Sequence, residues 1–140
     1  MTRILSENDA WDVLRAGKLG HLGCIDGDGP YVVPINYLIR EDAIYRHSLP
    51  GQKISALRSN VRVCLQVNHI QDDFHWRSTI AFGAFEEITN EAERRSILRD
   101  LLVRFPKLTP VESQLARDAE PPPIIVFRLR IDRISDVAED

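Results

Sequence analysis

Six strand-like segments follow one another at short spacing along this chain, with only short helical segments between them. They are rich in branched and aromatic residues and are bounded by turn-forming residues. Parallel strands need long helical crossovers, which helices this short do not supply. The pattern therefore predicts a mainly β chain with short helices (α+β), folded as a small antiparallel barrel. The six segments are Leu19–Ile25, Tyr31–Ile39, Ala43–Ser48, Val61–Val67, Trp76–Ile88 and Ile124–Ile134.

Local capping signals mark the helices. Ser6, with Asp9 three residues later, begins a first helix in the N-terminal segment 1–18, and Gly17 ends it. Asn90 with Glu93 begins a later helix in the same way. The remaining predicted features are a helix over Gln52–Ser59, a helix end at Pro106, a helix over Thr109–Arg117, a stiff connector over 118–123 and a frayed acidic tail over 135–140.

Size and charge restrict the class of protein. The 140 residues fit a single domain, and 28% charged residues are typical of globular proteins. No segment approaches the roughly 18 apolar residues of a membrane span, and Arg3, Glu7 and Asp9 interrupt any signal-peptide pattern, so we expect a cytoplasmic protein. A net charge of −3 disfavours general nucleic-acid binding. Cys24 and Cys64 lie in apolar strands far apart, which predicts buried free thiols.

The segment from His47 to Lys53 is the strongest candidate for a binding site. A strand pattern stops at Pro50-Gly51, and a helical pattern starts at Gln52. The first turn of a helix presents free N–H groups that favour an anion. Lys53 lies at the positive end of the helix dipole, and a bound phosphate would remove that conflict. The alternative is a simple turn followed by a solvated surface lysine.

Two other strands carry residues that could complete such a site. Pro34 cannot donate to a sheet ladder, so its strand should lie at an edge or a bulge, and Asn36 shares its face. Trp76 and Ser78 begin another strand. A phosphate, a flat polar ring and an aromatic wall would account for these features together. Alternatively, Trp76 covers an edge of the core and Asn36 caps a turn.

The histidines give weaker signals. His69 and His75 flank two aspartates without a tight metal-binding spacing, so no metal site is predicted. His21, in a strand, and His47, beside the candidate site, are the catalytic candidates for proton transfer, with a structural role as the alternative. The chain has no GxSxG elbow, P-loop or dinucleotide glycine fingerprint.

Several short motifs occur in an order that is specific in combination. They are Asp28–Tyr37, Ile44–Ser48, Pro50-Gly51 with Lys53, Asn60–Cys64 and Trp76–Ser78. This order resembles that of the flavin-binding split-barrel proteins related to pyridoxamine 5′-phosphate oxidase, and it is most similar to their nitroimidazole-resistance (Nim) branch. The likeness covers roughly residues 10–134, nearly the whole chain.

The resemblance implies a six-stranded antiparallel split β-barrel homodimer with two FMN molecules at the subunit interface. Lys53 and the backbone after Pro50 would hold the phosphate, and Trp76 and Ser78 would reach in from the partner subunit. Gln52 departs from the pattern, because relatives commonly have a second basic residue there. The implied cofactor-binding residues are Val33, Pro34, Ile35, Asn36, Arg46, His47, Ser48, Gln52, Lys53, Trp76 and Ser78.

The resemblance also implies a function. FMN, reduced by a nicotinamide nucleotide or another donor, would pass electrons to a small acceptor such as a nitro-aromatic compound. Without a basic side chain at Gln52, the phosphate loses a contact worth about 1.5–3 kcal/mol, so FMN should bind weakly. The alternative is a flavin- or haem-binding carrier or sensor without turnover. Oxidation of pyridoxamine phosphate is disfavoured, because the C-terminal strand leaves little room for the longer tail of those oxidases.

Overall fold

The computed structural model describes residues 2–4, 6–106 and 124–139. Eight strands and three helices occur in these ranges. The strands are β1 (Thr2–Ile4), β2 (Leu19–Asp26), β3 (Gly29–Asn36), β4 (Leu38–Arg40), β5 (Ala43–Ser48), β6 (Arg62–Asp72), β7 (His75–Glu87) and β8 (Ile125–Glu139). The helices are α1 (Glu7–Ala16), α2 (Gln52–Ser59) and α3 (Glu91–Arg104). The predicted helix over Thr109–Arg117 and the connector over 118–123 lie outside the described residues.

The strands form one antiparallel sheet that curls back on itself. Its order is β3-β2-β6-β7-β8-β5-β4, and β1 pairs with β8. The two edge strands, β3 and β4, are separated in the chain by Tyr37 alone. Since successive Cα atoms are about 3.8 Å apart, the two edges must meet at this residue. Among the described strands, β3 pairs only with β2 and β4 only with β5, so the barrel is open along this seam. The predicted split-barrel fold is confirmed.

The six predicted strands are present, with four differences. The second is divided at Tyr37 into β3 and β4, and a three-residue β1 is added. The predicted strands that end at Val67 and begin at Trp76 are too short, because β6 and β7 continue through residues 68–75 to a turn at Asp73 and Phe74. The predicted frayed tail is also wrong for residues 135–139, which belong to β8 and pair with β7 and β1.

Asp136 shows why the tail is ordered. Only 4% of this residue is exposed, and its carboxylate lies 3.6 Å from Arg77 Nη2 on β7. Thr79, also buried, pairs directly opposite Asp136. Burial raises the pKa of Asp136, while Thr79 and Arg77 act in the opposite direction. An acidic residue that suggested a solvated end of the chain therefore faces inward toward an arginine of the neighbouring strand.

Two hydrophobic clusters hold the elements together. The larger fills the barrel and includes Leu14 of α1, and the smaller packs Ile97 and Leu101 of α3 on β5 and β8. Val61, the first residue of the fourth predicted strand, precedes β6 and is 45% exposed. Leu102 of α3 is 50% exposed and faces away from the smaller cluster. Among the helices of the described residues, none has the length and apolar character required to cross a bilayer.

Tyr37 joins the seam of the barrel to two helix ends. Its hydroxyl donates to the carbonyl of Leu14 at 2.6 Å, which satisfies one of the free carbonyls at the end of α1. Arg104, in the last turn of α3, donates through Nε to the Tyr37 carbonyl at 3.1 Å and through Nη2 to the Gly17 carbonyl at 2.5 Å. Tyr37 is fully buried. The adjacent ends of β3 and β4 are therefore held in place at this corner through contacts with both helices.

Replacing Tyr37 with Phe should lower the stability of the protein at neutral pH. It should also make this stability decline less as the pH rises above 10. Burial raises the pKa of Tyr37 from 10.0 to about 12, with Arg104 acting in the other direction. Folding therefore favours the neutral phenol, and this contribution is complete below pH 10 and is lost as the pH rises toward 12. The loss amounts to about 2–3 kcal/mol, whereas the missing hydrogen bond costs the variant about 1–2 kcal/mol at pH 7.

Urea unfolding between neutral pH and about pH 11.5 tests this expectation. The difference in the free energy of unfolding between the wild type and Tyr37→Phe should shrink above pH 10. Tyr31→Phe, at a half-buried tyrosine of β3, should show the same pH dependence as the wild type. A difference that is constant across this range would contradict the role assigned to the buried phenol.

Candidate functional site

The start of α2 has the predicted properties of an anion site. The helix begins at Gln52, directly after Gly51, and its first turn has no acidic residue. Gly51 has no side chain that could cap the helix, so the first N–H groups lack the usual acceptor. A Cβ atom built on Gly51 would meet nothing in the described chain within 4 Å. The positive end of α2 is therefore open to an approaching anion.

Lys53 is half-buried in the first turn of this helix. Burial lowers the pKa of its ammonium group, the charge of Arg46 lowers it further, and Cys24 raises it. Lys53, in the first turn of α2, and Arg46, whose charge acts on it, are here called the cationic pair. A bound anion would relieve both the repulsion and part of the desolvation cost.

Strand alternation divides the predicted residues of β5. Ile44 lies in the barrel core, whereas Tyr45 belongs to the smaller cluster against α3. Arg46 and Ser48 therefore share the side of Ile44, and His47 shares the side of Tyr45. His47 is half-buried, but it lies on the other face of the strand from Arg46. The structure does not bring His47 together with the cationic pair.

Gln52, which departs from the pattern of the proteins that the sequence resembles, has a specific partner. Its Nε2 donates to Asp26 Oδ2, at the end of β2, at 2.7 Å. Both side chains are exposed. A carboxylate therefore lies beside the first turn of α2, a contact that sequence reasoning missed because the two residues are far apart in the chain.

The four predicted residues of β3 lie on both faces of an edge strand. Val33 packs against the core and Ile35 is only 4% exposed, so both side chains point into the barrel. Pro34 and Asn36 point outward, with Pro34 directly opposite His21. The missing N–H of Pro34 fits a strand that pairs with β2 alone. Of these four residues, only Pro34 and Asn36 can offer side-chain contacts on the outer surface.

A hydrogen-bonded row crosses the outer face of the sheet. His21 Nδ1 lies 3.2 Å from Gln66 Oε1, and Gln66 Nε2 donates to Ser78 Oγ at 3.0 Å. Gln66 thus links two predicted site residues that are 57 positions apart. Sequence reasoning missed its role, although the polar alternate face of its strand was a signal. Trp76 is half-buried two residues before Ser78, on the same face of β7.

Residues 6–136 match the model of the protein family described as pyridoxamine 5′-phosphate oxidase. The chain belongs to this family. A FAD-binding protein of Mesorhizobium loti has 28% identity, a TM-score of 0.81 and coverage of 100% of this chain and 99% of that one. A candidate 5-nitroimidazole antibiotic resistance protein of Bacteroides thetaiotaomicron has 22% identity, a TM-score of 0.75 and coverage of 99% and 87%, a likeness of fold alone. An uncharacterized protein of Rhizobium meliloti is 37% identical over 61% of this chain and 57% of its own length.

In this member of the pyridoxamine 5′-phosphate oxidase family, one chain does not gather the predicted residues at one place. The charge of Lys53 acts on Cys24, on the inner face of β2, whereas His21 lies on its outer face. Three clefts of about 270, 380 and 460 Å³ lie between α1 and β8, between α1 and β6, and between α2 and α3. None of these three is lined by Lys53, Asn36 or Ser78.

Other predicted side chains form local contacts. His75 Nδ1 lies 2.7 Å from Asp72 Oδ1 at the tip of the β6–β7 hairpin. The described residues hold no group of three potential metal ligands. Cys24 and Cys64 are both free, which confirms that they form no disulfide with each other. Cys24 is buried, whereas Cys64 is only partly so.

Proposed function

We propose that this protein is a flavin-dependent oxidoreductase that binds the flavin phosphate at the start of α2. The observation that carries the proposal is the cationic pair at a helix start without an acidic residue. Two cationic side chains and a set of free N–H groups are the hydrogen-bond donors that bind a phosphate most strongly. The FAD-binding relative from Mesorhizobium loti supports a flavin rather than another anion. FMN is the flavin that we expect.

The residues of this chain also suit the remainder of a flavin. Ser48 follows Arg46 on the same side of β5 and is close enough along the strand to meet a ribityl chain. Pro34 and Asn36 leave the free edge of β3 exposed to a flat ring, because the strand pairs only with β2. When bound, the flavin would supply hydride and electron transfer to a small acceptor, such as a nitro-aromatic compound, from a nicotinamide or another donor.

We further propose that two copies of the chain complete the site. The outer face of β2, β3, β6 and β7 carries exposed apolar side chains beside the polar row: Leu19 is 56% exposed, Ile25 38% and Val32 63%. Such a face is better covered than solvated. A second copy on this face would bring Trp76 and Ser78 toward the flavin of the first, as the resemblance implies. That arrangement would explain why one chain separates the cationic pair from the polar row.

His21 is the better candidate for proton transfer, because His47 lies on the other side of its strand from the cationic pair. With Nδ1 beside Gln66 Oε1, the neutral ring would carry its proton on Nδ1. Nε2 would then be the nitrogen that exchanges a proton with a reduced acceptor. Gln66 and Ser78 would orient the ring.

Reconstitution with FMN tests the function. We expect a flavin spectrum on the purified protein, bleaching by a nicotinamide donor in the absence of oxygen, and recovery of the spectrum when a nitro-aromatic acceptor is added. Bound flavin that no donor reduces would instead support the carrier or sensor function. A protein that takes up no flavin would exclude both.

Replacing Val32 with Asp should separate the two copies without unfolding either. The side chain is 63% exposed on the proposed contact face, so the monomer should tolerate the charge. Light scattering should show two 16.0 kDa chains for the wild type and one for Val32→Asp, with FMN affinity at least about tenfold lower. Val103→Asp, at a residue of α3 that is 79% exposed, is the matched control. A monomeric wild type would refute the shared site.

A further inference from the structure

We propose that Asp26, held by Gln52, is a built-in competitor of the flavin phosphate and makes the flavin an exchangeable ligand. This inference rests on the proposed function, because it concerns the phosphate end of the same site. Gln52 Nε2 donates to Asp26 Oδ2 at 2.7 Å, which fixes the carboxylate beside the first turn of α2. A neutral amide can hold a carboxylate in place without neutralising its charge.

Asp26 and Lys53 both act on one buried neighbour, Cys24. Burial and Asp26 raise the pKa of the Cys24 thiol, whereas Lys53 lowers this pKa. Asp26 and Lys53 therefore act on the same point from two elements, the end of β2 and the start of α2. A phosphate held by Lys53 would lie within the field of Asp26.

The charge of Asp26 has opposite effects on the two states of the protein. Without a ligand, it supplies the negative charge that the first turn of α2 lacks, and this charge stabilises the helix dipole. With a ligand, the same charge repels the phosphate. One residue thus favours the ligand-free state and opposes the bound state. The consequence is a lower affinity for phosphorylated flavins and an easier release.

Asp26→Asn tests the inference, since the amide oxygen still accepts from Gln52 while the charge is lost. Titrations with FMN and with riboflavin, which has the same ring but no phosphate, measure the two parts of the site. FMN should bind roughly three- to tenfold more tightly, riboflavin should be unchanged, and the melting temperature of the ligand-free protein should fall slightly. The gain for FMN should shrink in about 1 M salt, where the Debye length is about 3 Å.

Two further variants separate this role from alternatives. Asp28→Asn removes an equal charge two residues later, in the turn between β2 and β3, and should leave FMN affinity close to that of the wild type. Gln52→Arg introduces a cation that Asp26 would neutralise. Its gain in FMN affinity should therefore be larger in the Asp26→Asn background than in the wild type.

FMN binding that is unchanged or weaker in Asp26→Asn would overturn the competitor role, as would additivity between positions 26 and 52. A parallel fall in melting temperature and FMN affinity would indicate a structural role and would also overturn it. In each of these cases the wild type still binds flavin, so the proposed function survives. A wild type that binds neither FMN nor riboflavin would remove both.

Discussion

Lys53→Met is expected to lower FMN affinity about 10- to 100-fold while stabilising the ligand-free protein. The variant loses a charged hydrogen bond to the phosphate, which is worth about 1.5–3 kcal/mol. Methionine has a similar length and no charge, so the cost of keeping a half-buried ammonium beside Arg46 disappears. Affinity and stability should thus change in opposite directions, which is typical of a residue retained for binding.

The pH dependence of this stabilisation has a fixed sign. Burial and Arg46 lower the pKa of Lys53 below its ordinary 10.5, so the folded protein binds this proton less tightly than the unfolded chain. The penalty is fully present below the lowered pKa and disappears as the pH rises toward 10.5. The stability advantage of Lys53→Met should therefore be greatest at neutral pH and should decline in alkaline solution.

The control for Lys53→Met lies on the same helix. Arg58, in the last turn of α2, pairs with Glu87 and is remote from the helix start. Arg58→Met removes the same charge and should leave FMN affinity nearly unchanged. Fluorescence titration with FMN and riboflavin, together with thermal melting, measures all three proteins. Wild-type FMN affinity in Lys53→Met would show that the phosphate is held elsewhere.

The elements that the sequence predicts well are those fixed by local chemistry. Ser6 accepts from the Asp9 N–H at 3.2 Å, and Asn90 accepts from the Glu93 N–H at 2.9 Å, as their capping patterns predict. The start of α2 at Gln52 follows equally from a strand that ends before Pro-Gly. Each of these signals is complete within about four residues, so no distant partner is required to read it.

The features that the sequence does not predict depend on partners far along the chain. Asp136 is buried because Arg77 lies on the neighbouring strand, and the charge pattern of the tail carries no information about that pairing. His47 faces the smaller cluster because α3 covers that side of β5. The contact between Gln52 and Asp26 joins a helix start to the end of a strand that is distant in sequence. Such contacts exist only after the sheet has closed.

The sequence predicts some residues of the candidate site and misses others. Lys53 is recognisable because a lysine at a helix start contradicts the dipole, and the structure adds that it is half-buried and that the charge of Arg46 acts on it. The outer polar row was only half recognised, since His21 and Ser78 were candidates but Gln66, which joins them, was not. Register decides which residues meet across strands, and a single strand pattern does not encode its register.

Gly83→Ala is expected to destabilise the fold by about 3 kcal/mol or more, against a gain of at most about 1 kcal/mol from restricting the unfolded chain. A Cβ atom on Gly83 would overlap the carbonyl oxygen of Arg130 and would lie 3.1 Å from Ile131 Cα. The contacted atoms are backbone, and the pairing of β7 and β8 shifts register at this point, so no side chain can move to make room. Urea unfolding should show the loss, whereas Gly29→Ala, whose Cβ would lie 3.9 Å from the nearest described atom, should unfold near the wild-type midpoint. Equal midpoints for the wild type and Gly83→Ala would mean that the barrel can open at this bulge without cost, and the close approach of β7 to β8 would then not hold the sheet closed.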